Sequence, residues 1–308
     1  MRFRSAVSAL LLFLPALWVS PASAQDDAGG GGNQIEDNLS SYTGANATGY
    51  LGPLRDALGS TLNSGLYMYG GVPSGGLHAR LDIRGMLVSF GDDDRTFRAV
   101  TESYFGEPQY TTAPTVVGSE RAVLLTDPIT GATFTFPGGL NIDRLPLAAP
   151  QLTVGAIMST EFIGRYFAVN AGDSDIGHIK LVGFGARHGI SNHFPGLPID
   201  VSVMGFWQNL KLGDKLMDAT MVTFGAQAGK DLGLVAAYGG LSYDSIKMKV
   251  TYESNISGQK KDQVVDFGTK STAHLTLGAT LHLGFLSLNG ELNKAAQTSF
   301  GFGLGLGL

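Results

Sequence analysis

The chain finishes on SFGFGLGLGL, residues 299–308, where Phe300, Phe302, Leu304, Leu306 and Leu308 alternate with Gly301, Gly303, Gly305 and Gly307. A period of two gathers the large side chains on one face of a strand and scatters them around a helix. A strand with one face in water carries polar residues opposite the apolar ones, and glycine is a poor strand residue because it has nothing to pack. The alternation therefore predicts a strand whose apolar face meets an apolar solvent and whose glycine face meets a crowded interior. A closed barrel in a membrane supplies both, with Phe300, Leu304 and Leu308 toward lipid. A substitution such as Gly303→Ser, on the inward face, is then expected to be tolerated better than Leu304→Arg.

The same period recurs upstream. In LHARLDIRGML, Leu77, Ala79, Leu81, Ile83 and Leu87 oppose His78, Arg80, Asp82 and Arg84. In SIKMKVTYE, Ile246, Met248, Val250 and Tyr252 oppose Lys247, Lys249, Thr251 and Glu253. STAHLTLGATLHLG and LSLNGELN set His274, His282, Glu291 and Asn293 against rows of leucine and alanine. Charged residues in mid-strand with apolar residues opposite are expected of strands facing lipid outward and a lumen inward. Between these stretches AGDSD, SNHFPGLP, GDKL and GKDLG read as turns. Residues 91–150 carry six prolines and read as short strands and a long loop over or into the barrel. The whole predicts an all-β fold, an antiparallel transmembrane outer-membrane β-barrel of about 12–14 strands, since such barrels favour even numbers.

The N-terminus opens with Arg2 and Arg4, an apolar stretch from Ala9 to Val19, and Ala22-Ser23-Ala24. A basic start, a short apolar run and small residues at the cut are the parts of a cleaved secretory signal, here 1–24. Residues 25–48 read as a flexible Gly- and Asn-rich leader, and 49–63 as a short helix centred on 53–62 that plugs or caps the barrel at 64–308. The chain has no cysteine, which removes disulfides and thiolate metal sites. The net charge of −5 argues against a nucleic-acid partner. The expected location is the bacterial outer membrane. The expected partners are outer-membrane lipid, the barrel-insertion machinery and an unidentified small solute.

Four stretches, GSTLNSGLY (59–67), PQLTVGAIMSTEFIGRYF (150–167), ARHGISNHFP (186–195) and LVAAYGGLSYDS (234–245), resemble a family of bacterial outer-membrane barrels that carries only an uncharacterised-domain label. The resemblance covers about residues 49–308 and implies an outer-membrane-type barrel without an assigned activity. A looser similarity to long-chain fatty acid transport barrels lies in the order of leader and barrel. Gln25-Asp26-Asp27 departs from the Asn-Pro-Ala with which the hatch of those proteins opens.

Four places in the chain carry residue types suited to chemistry. HGISNH offers His188, Ser191, Asn192 and His193 in one short run, yet at a hairpin end, where neighbours seldom converge on a substrate. Asp92-Asp93-Asp94 lacks the spaced pattern of a calcium loop. His274 and His282 share a face but lie ~27 Å apart at strand rise, too far to hold one ion. The glycines of 301–307 precede no helix and make no phosphate loop. No catalytic residue, cofactor or metal is expected. What remains is the lumen, with His78, Arg80, Asp82, Arg84, Lys247, Lys249, Glu253, His274, Glu291 and Asn293 predicted to point inward. Such a lining reads as a path for passive passage or binding of a small solute, with a mild preference for anions. The alternatives are a structural or interaction barrel without transport, and a transporter of hydrophobic, fatty-acid-like compounds.

Overall fold

The computed structural model describes residues 38–42, 44–101, 107–170, 178–194, 196–213, 215–254 and 261–307. The expected signal peptide and the leader up to residue 37 lie outside the described residues. From residue 38 onward the expected leader is built into the fold, because Leu39 and Tyr42 are fully buried.

Among the described residues the helix α1 (Gly44–Leu62) precedes fourteen strands: β1 (His78–Ser89), β2 (Thr96–Val100), β3 (Tyr110–Pro114), β4 (Val123–Thr126), β5 (Thr133–Phe136), β6 (Arg144–Ile157), β7 (Thr160–Asn170), β8 (His178–Gly189), β9 (Asp200–Leu212), β10 (Met217–Asp231), β11 (Val235–Ser254), β12 (Lys261–Leu283), β13 (Leu286–Lys294) and β14 (Thr298–Gly307). Ten of them, β1 and β6–β14, close an antiparallel barrel in which β1 is flanked by β6 and β14. The other four form two hairpins, β2–β3 and β4–β5, inside the proline-rich insertion between β1 and β6. The wall therefore has ten strands where about 12–14 were expected, because the four short strands β2–β5 pair only with each other, while Pro146 and Pro150 sit within the wall strand β6.

The barrel has a short and a tall end. At the near mouth, where β1 begins and β14 ends, residues 158–159, 232–234 and 284–285 are tight turns, and 190–199 is a longer one. The far mouth carries the 90–143 insertion and the tall hairpin of β11 and β12.

Near the near mouth the outer face is apolar on every strand, with Leu81, Ile83, Leu152, Phe162, Phe184, Val203, Phe224, Leu241, Tyr243, Leu277, Leu288 and Leu304 among the exposed residues. On β11 this belt runs from Val235 to Ser245, about 25 Å of height at ~3.3 Å per residue and a strand tilt of ~40°. That is the thickness of the apolar band of an outer-membrane barrel.

Beyond the belt both faces change polarity at one level. Outward positions become Lys180, Lys211, Asp218, Lys247 and Lys249, all exposed. Inward positions become apolar: Met86 and Val88 on β1, Leu145, Leu147 and Ala149 on β6, Leu181 on β8, Leu210 and Leu212 on β9, Met217, Ala219 and Met221 on β10, and Ile246, Met248, Val250 and Tyr252 on β11. The phase of β11 is continuous through this change, because Leu241, Tyr243, Lys247 and Lys249 share one face. The register with β12 shifts between Lys247 and Lys249, just above the belt.

Lys247, Lys249 and Glu253 therefore face outward, which corrects their expected inward placement. Their inward placement follows from the alternation only if the apolar row faces lipid along the whole strand. Above the membrane the solvent outside is water, so the apolar row turns to the interior and the charged row to the outside.

The apolar upper interior is filled by α1 and capped by the two hairpins. Tyr42 packs against Tyr50 of α1 and against Phe97 and Phe136 of the hairpins. Asn46 acts as a strand mimic, donating to the Val100 carbonyl at 2.7 Å and accepting from the Val100 N–H at 3.0 Å. Val116 N–H donates to the Tyr50 carbonyl at 2.9 Å. A helix satisfies its own backbone and asks its surroundings only for apolar contact. This is what the upper wall offers, and tertiary packing holds α1 despite the interior Pro53.

Candidate functional site: a threaded lumen

From the end of α1 the chain continues down the barrel axis as an extended strap, residues 63–72, and leaves at the near mouth before β1 begins. This segment is neither helix nor strand, so its backbone groups need partners from elsewhere. The inner wall supplies them. Arg165 donates to the Leu62 carbonyl at 2.6 Å and the Ser64 carbonyl at 2.8 Å, and Gln208 donates to the Leu62 carbonyl at 2.7 Å. The Gly65 N–H donates to Glu291 Oε1 at 2.6 Å. Tyr238 reaches the Tyr67 carbonyl at 3.2 Å, and Thr280 bonds the Met68 carbonyl. Gln227 bonds the Tyr69 carbonyl, Ser202 donates to the Gly70 carbonyl at 3.1 Å, and Asn192 to the Val72 carbonyl at 2.7 Å. Arg165 also stands at the C-terminus of α1, where a cation complements the helix dipole.

The polar inner face thus corresponds to a polar occupant. Where the filling segment is helical the wall is apolar; where it is extended the wall is lined with donors.

Wall charges pair among themselves around the strap. Arg187 and Glu161 form a buried ion pair, and Tyr69 of the strap donates to Glu161 at 2.6 Å. The Arg187 guanidinium lies 4.6 Å from the Tyr69 ring centroid, within cation–π range. Arg80 donates to Asp82 at 3.0 Å, and Arg84 to Glu291 at 3.4 Å. A hydrogen-bonded run joins Asp244, His274, Asn293 and Glu291, with separations of 2.6, 3.0 and 3.0 Å, and ends on the strap at Gly65.

Arg80, Arg84, Arg165 and Arg187 are thereby matched in number by Asp82, Glu161, Asp244 and Glu291, all buried in the wall. With Lys247 and Lys249 outside, the excess of inward cations behind the expected anion preference disappears.

The glycine face of β14 belongs to the same site. A Cβ on Gly301 would come within 2.5 Å of Glu291, one on Gly303 within 2.4 Å of Arg84, and one on Gly305 within 2.2 Å of Asp82. The charged side chains lie flat across β14, and only glycine leaves them room. The outward residues Phe300, Phe302, Leu304 and Leu306 are 39–52 % exposed, as the alternation predicts. The tolerance expected of Gly303→Ser does not follow, because the inward space is already taken. The strap has its own close approach, since a Cβ on Gly70 would sit 2.2 Å from the Gly229 backbone.

Of the residues predicted to line the lumen, His78, Arg80, Asp82, Arg84, His274, Glu291 and Asn293 point inward. His78 accompanies Glu161 at 2.9 Å near the near mouth. Glu161, Arg165, Arg187, Gln208, Gln227 and Asp244 join them on the inner face, beside Ser202, Tyr238 and Thr280, and carry no separate signal in the sequence. Glu161 and Arg165 stand two apart on each side of Ile163 in TEFIGRYF, an alternation obscured by its neighbouring aromatics.

The HGISNH run is divided among separate tasks. Ser191 donates to the Val201 carbonyl at 3.4 Å and Asn192 holds the strap, while His188 and His193 face each other. Asp94 is spent on the Gly91 N–H at 2.8 Å and the Gln297 amide. A cavity of about 370 Å³ remains at the near mouth between the strap and Asn192, Asp200, Asp231 and His282.

A closed ten-strand wall with an apolar belt, filled by its own N-terminal segment, defines an outer-membrane-type β-barrel. The chain belongs to the family of unknown function DUF6588, whose model matches residues 3–308. No curated protein matches it. Among solved structures it is similar to a loop-deletion form of OmpT, an outer membrane protein of Vibrio cholerae, at 10% identity and TM-score 0.28 over 77% of this chain and 100% of that one. It is also similar to the Ralstonia pickettii toluene transporter TbuX, at 10% identity and TM-score 0.22 over 78% of this chain and 89% of that one. A BenF-like porin from Pseudomonas fluorescens is 10% identical, with TM-score 0.17, over 75% of this chain and 98% of that one. At these scores none of the three carries a functional argument.

Proposed function

We propose that this protein is a self-stoppered outer-membrane barrel, an anchor that seals its own lumen and holds a folded head above one mouth. The observation that carries the reading is the strap. The carbonyls of Leu62, Ser64, Tyr67, Met68, Tyr69, Gly70 and Val72 are taken by side chains of the wall and of the turn after β8, from one end of the polar lumen to the other. A solute crossing this conformation would have to displace those bonds together. The reading involves no covalent chemistry and no cofactor, and the strap takes the place a passing solute would occupy.

Short turns of outer-membrane barrels face the periplasm and long connections the exterior. By that rule the near mouth is periplasmic, and the head, α1 and the start of the described chain lie outside. The head is then the part available for contact with other molecules.

A second reading, gated passage of a small solute, is favoured by the polar contact between strap and wall and by the cavity at the near mouth. Both readings need a sealed resting state. Planar-bilayer recording is the test. The full chain should be electrically silent, and a chain lacking residues 38–72 should conduct through the exposed polar wall. Steady conductance by the full chain overturns the sealed barrel. Silence of the shortened chain, once shown to be inserted and folded, removes the strap as the seal.

A further inference from the structure

We propose that His188 and His193 form a transition-metal site on the outer rim of the near mouth. His188 is the outward-facing residue before the end of β8, and His193 closes the short 3₁₀ turn Ser191–His193 that follows. Their Nε2 atoms are 3.0 Å apart and the ring planes are within 25° of each other. The nitrogens of two imidazoles with metal–nitrogen bonds of about 2.0–2.1 Å lie about 3.3 Å apart in a tetrahedral site and about 2.9 Å apart at adjacent positions of the tetragonal site that Cu²⁺ takes. A shift of a few tenths of an ångström, with the rings turned to share one ion, makes the pair bidentate.

Thr160 favours the tautomer of His188 that ligation needs. With its hydroxyl donating to the Met158 carbonyl at 3.2 Å, Oγ1 accepts from His188 Nδ1 at 2.9 Å. Nε2 of His188 then presents its lone pair to His193, whose Nε2–H donates across the 3.0 Å contact and whose proton moves to its own Nδ1 when an ion takes its place. A ligating histidine whose other nitrogen donates to an outer partner is the usual arrangement of a metal site. His193 is exposed and His188 half-buried, so an ion from solution can reach the pair.

Among the described residues no group of three or more His, Asp or Glu is arranged to hold an ion, so water completes the coordination. A site of two imidazoles and water selects by ligand type, with Cu²⁺ ahead of Ni²⁺ and Zn²⁺ in affinity. The same turn carries Asn192, which holds the strap at the Val72 carbonyl. A metal bridging His188 and His193 would tie that turn to β8 at the point where the strap leaves the lumen.

The experiment is a titration of the untagged, folded barrel in detergent with Cu²⁺, followed by calorimetry and by electron paramagnetic resonance. One equivalent should bind with hyperfine structure from two nitrogen ligands. His188→Ala and His193→Ala should each abolish that signal while the heat-dependent gel shift of the folded barrel is kept. His78, His178, His274 and His282 remain in every variant as internal controls. Thr160→Val keeps both imidazoles and removes the tautomer lock; affinity should fall about tenfold, the lower end of the 10–100-fold cost of losing an outer partner. Absence of binding by the unaltered protein, or undiminished binding by the His188→Ala/His193→Ala double variant, overturns the site. An unchanged affinity in Thr160→Val overturns the role of the lock.

Discussion

Adjacent residues on β14 are constrained by different solvents. Leu304 meets lipid, and an arginine near mid-membrane on that face costs about 2–4 kcal/mol. Gly303 meets the guanidinium of Arg84, which is fully buried and would have to shift from its contact with Glu291 to admit a Cβ. Leu304→Arg and Gly303→Ala should therefore both lower the yield of folded barrel, for separate reasons. Refolding yields compared in bilayers and in detergent distinguish them: the Leu304→Arg defect should shrink in detergent and the Gly303→Ala defect should persist. Glu291 is a second case. Glu291→Gln can still accept from the Gly65 N–H but leaves Arg84 without its anion. Unpairing a buried charge costs about 3–5 kcal/mol, so the urea midpoint should fall well below that of the unaltered protein. A midpoint within error of it would show that Arg84 is balanced by something other than Glu291. The outward half of this residue pattern is legible in the sequence, because lipid selects for bulk. The inward half is legible only as a row of glycines. Nothing local to β14 says that Asp82, Arg84 and Glu291 of other strands lie across it, since that is a property of pairing register.

At the scale of the element, β11 shows why alternation gives phase without giving sidedness. The period of two in SIKMKVTYE is present as read, and what changes along the strand is the solvent on each side of the wall. Inside the belt the apolar row faces lipid; above it the apolar row, starting at Ile246, faces α1. The level of that change is set by where α1 ends and the strap begins, some 180 residues earlier in the chain. Sequence reading of 49–63 as a possible plug comes close, because Leu51, Leu54 and Leu58 carry a helical period. The strap escapes it, since NSGLYMYGGV has no period and draws its order from the wall. Two substitutions test the switch. Ile246→Asp places a carboxylate beside Gly59 of α1, whose Cβ position lies 3.1 Å from Ile246, and should abolish folding of the head. Lys247→Leu, one residue on and facing water, should leave the folded fraction unchanged. Equal effects in limited proteolysis of the head would contradict the inversion. The protruding hairpin also carries a pH response. Asp266 is held below the ordinary carboxylate range by the Gly268 N–H and then by Lys249 at 3.1 Å. A depressed carboxylate contributes above its unfolded pKa, and the contribution is lost as pH falls through the lowered folded value. Amide exchange around Gly268 should therefore quicken only below the normal range of aspartate titration, and Asp266→Asn should remove that step.

For the molecule as a whole, the path of the chain fixes a topology that no single strand reveals. Residue 41 lies in the head, and residue 74 follows the strap at the near mouth, so the two are on opposite sides of the membrane although only the filling segment separates them. The chain contains no cysteine, which allows one reporter thiol at a time. Ser41, Thr130 and Ser74 are all exposed, so cysteine at each should react in solubilised protein. In intact cells a membrane-impermeant maleimide should label Ser41→Cys and Thr130→Cys and spare Ser74→Cys until the outer membrane is opened. Labelling of Ser74→Cys alone would turn the barrel over, with the head in the periplasm and the strap still threaded. Labelling of Thr130→Cys together with Ser74→Cys, and not of Ser41→Cys, would place the start of the chain and the head on different sides and remove the thread itself. The expected pattern has a consequence for assembly. The wall closes where β14 meets β1, and the strap is joined to β1 at the near mouth, so the last strand must close around a segment already in place. Glycine at 301, 303 and 305 allows this closure with the wall charges already gathered about the strap, and weakening that gathering should slow closure rather than alter the finished wall. Arg165→Gln, which keeps a donor and loses the charge, should accordingly lengthen the time to the heat-modifiable form while leaving the strand content by circular dichroism unchanged. A variant that closes at the normal rate would show that the strap enters after the wall is complete.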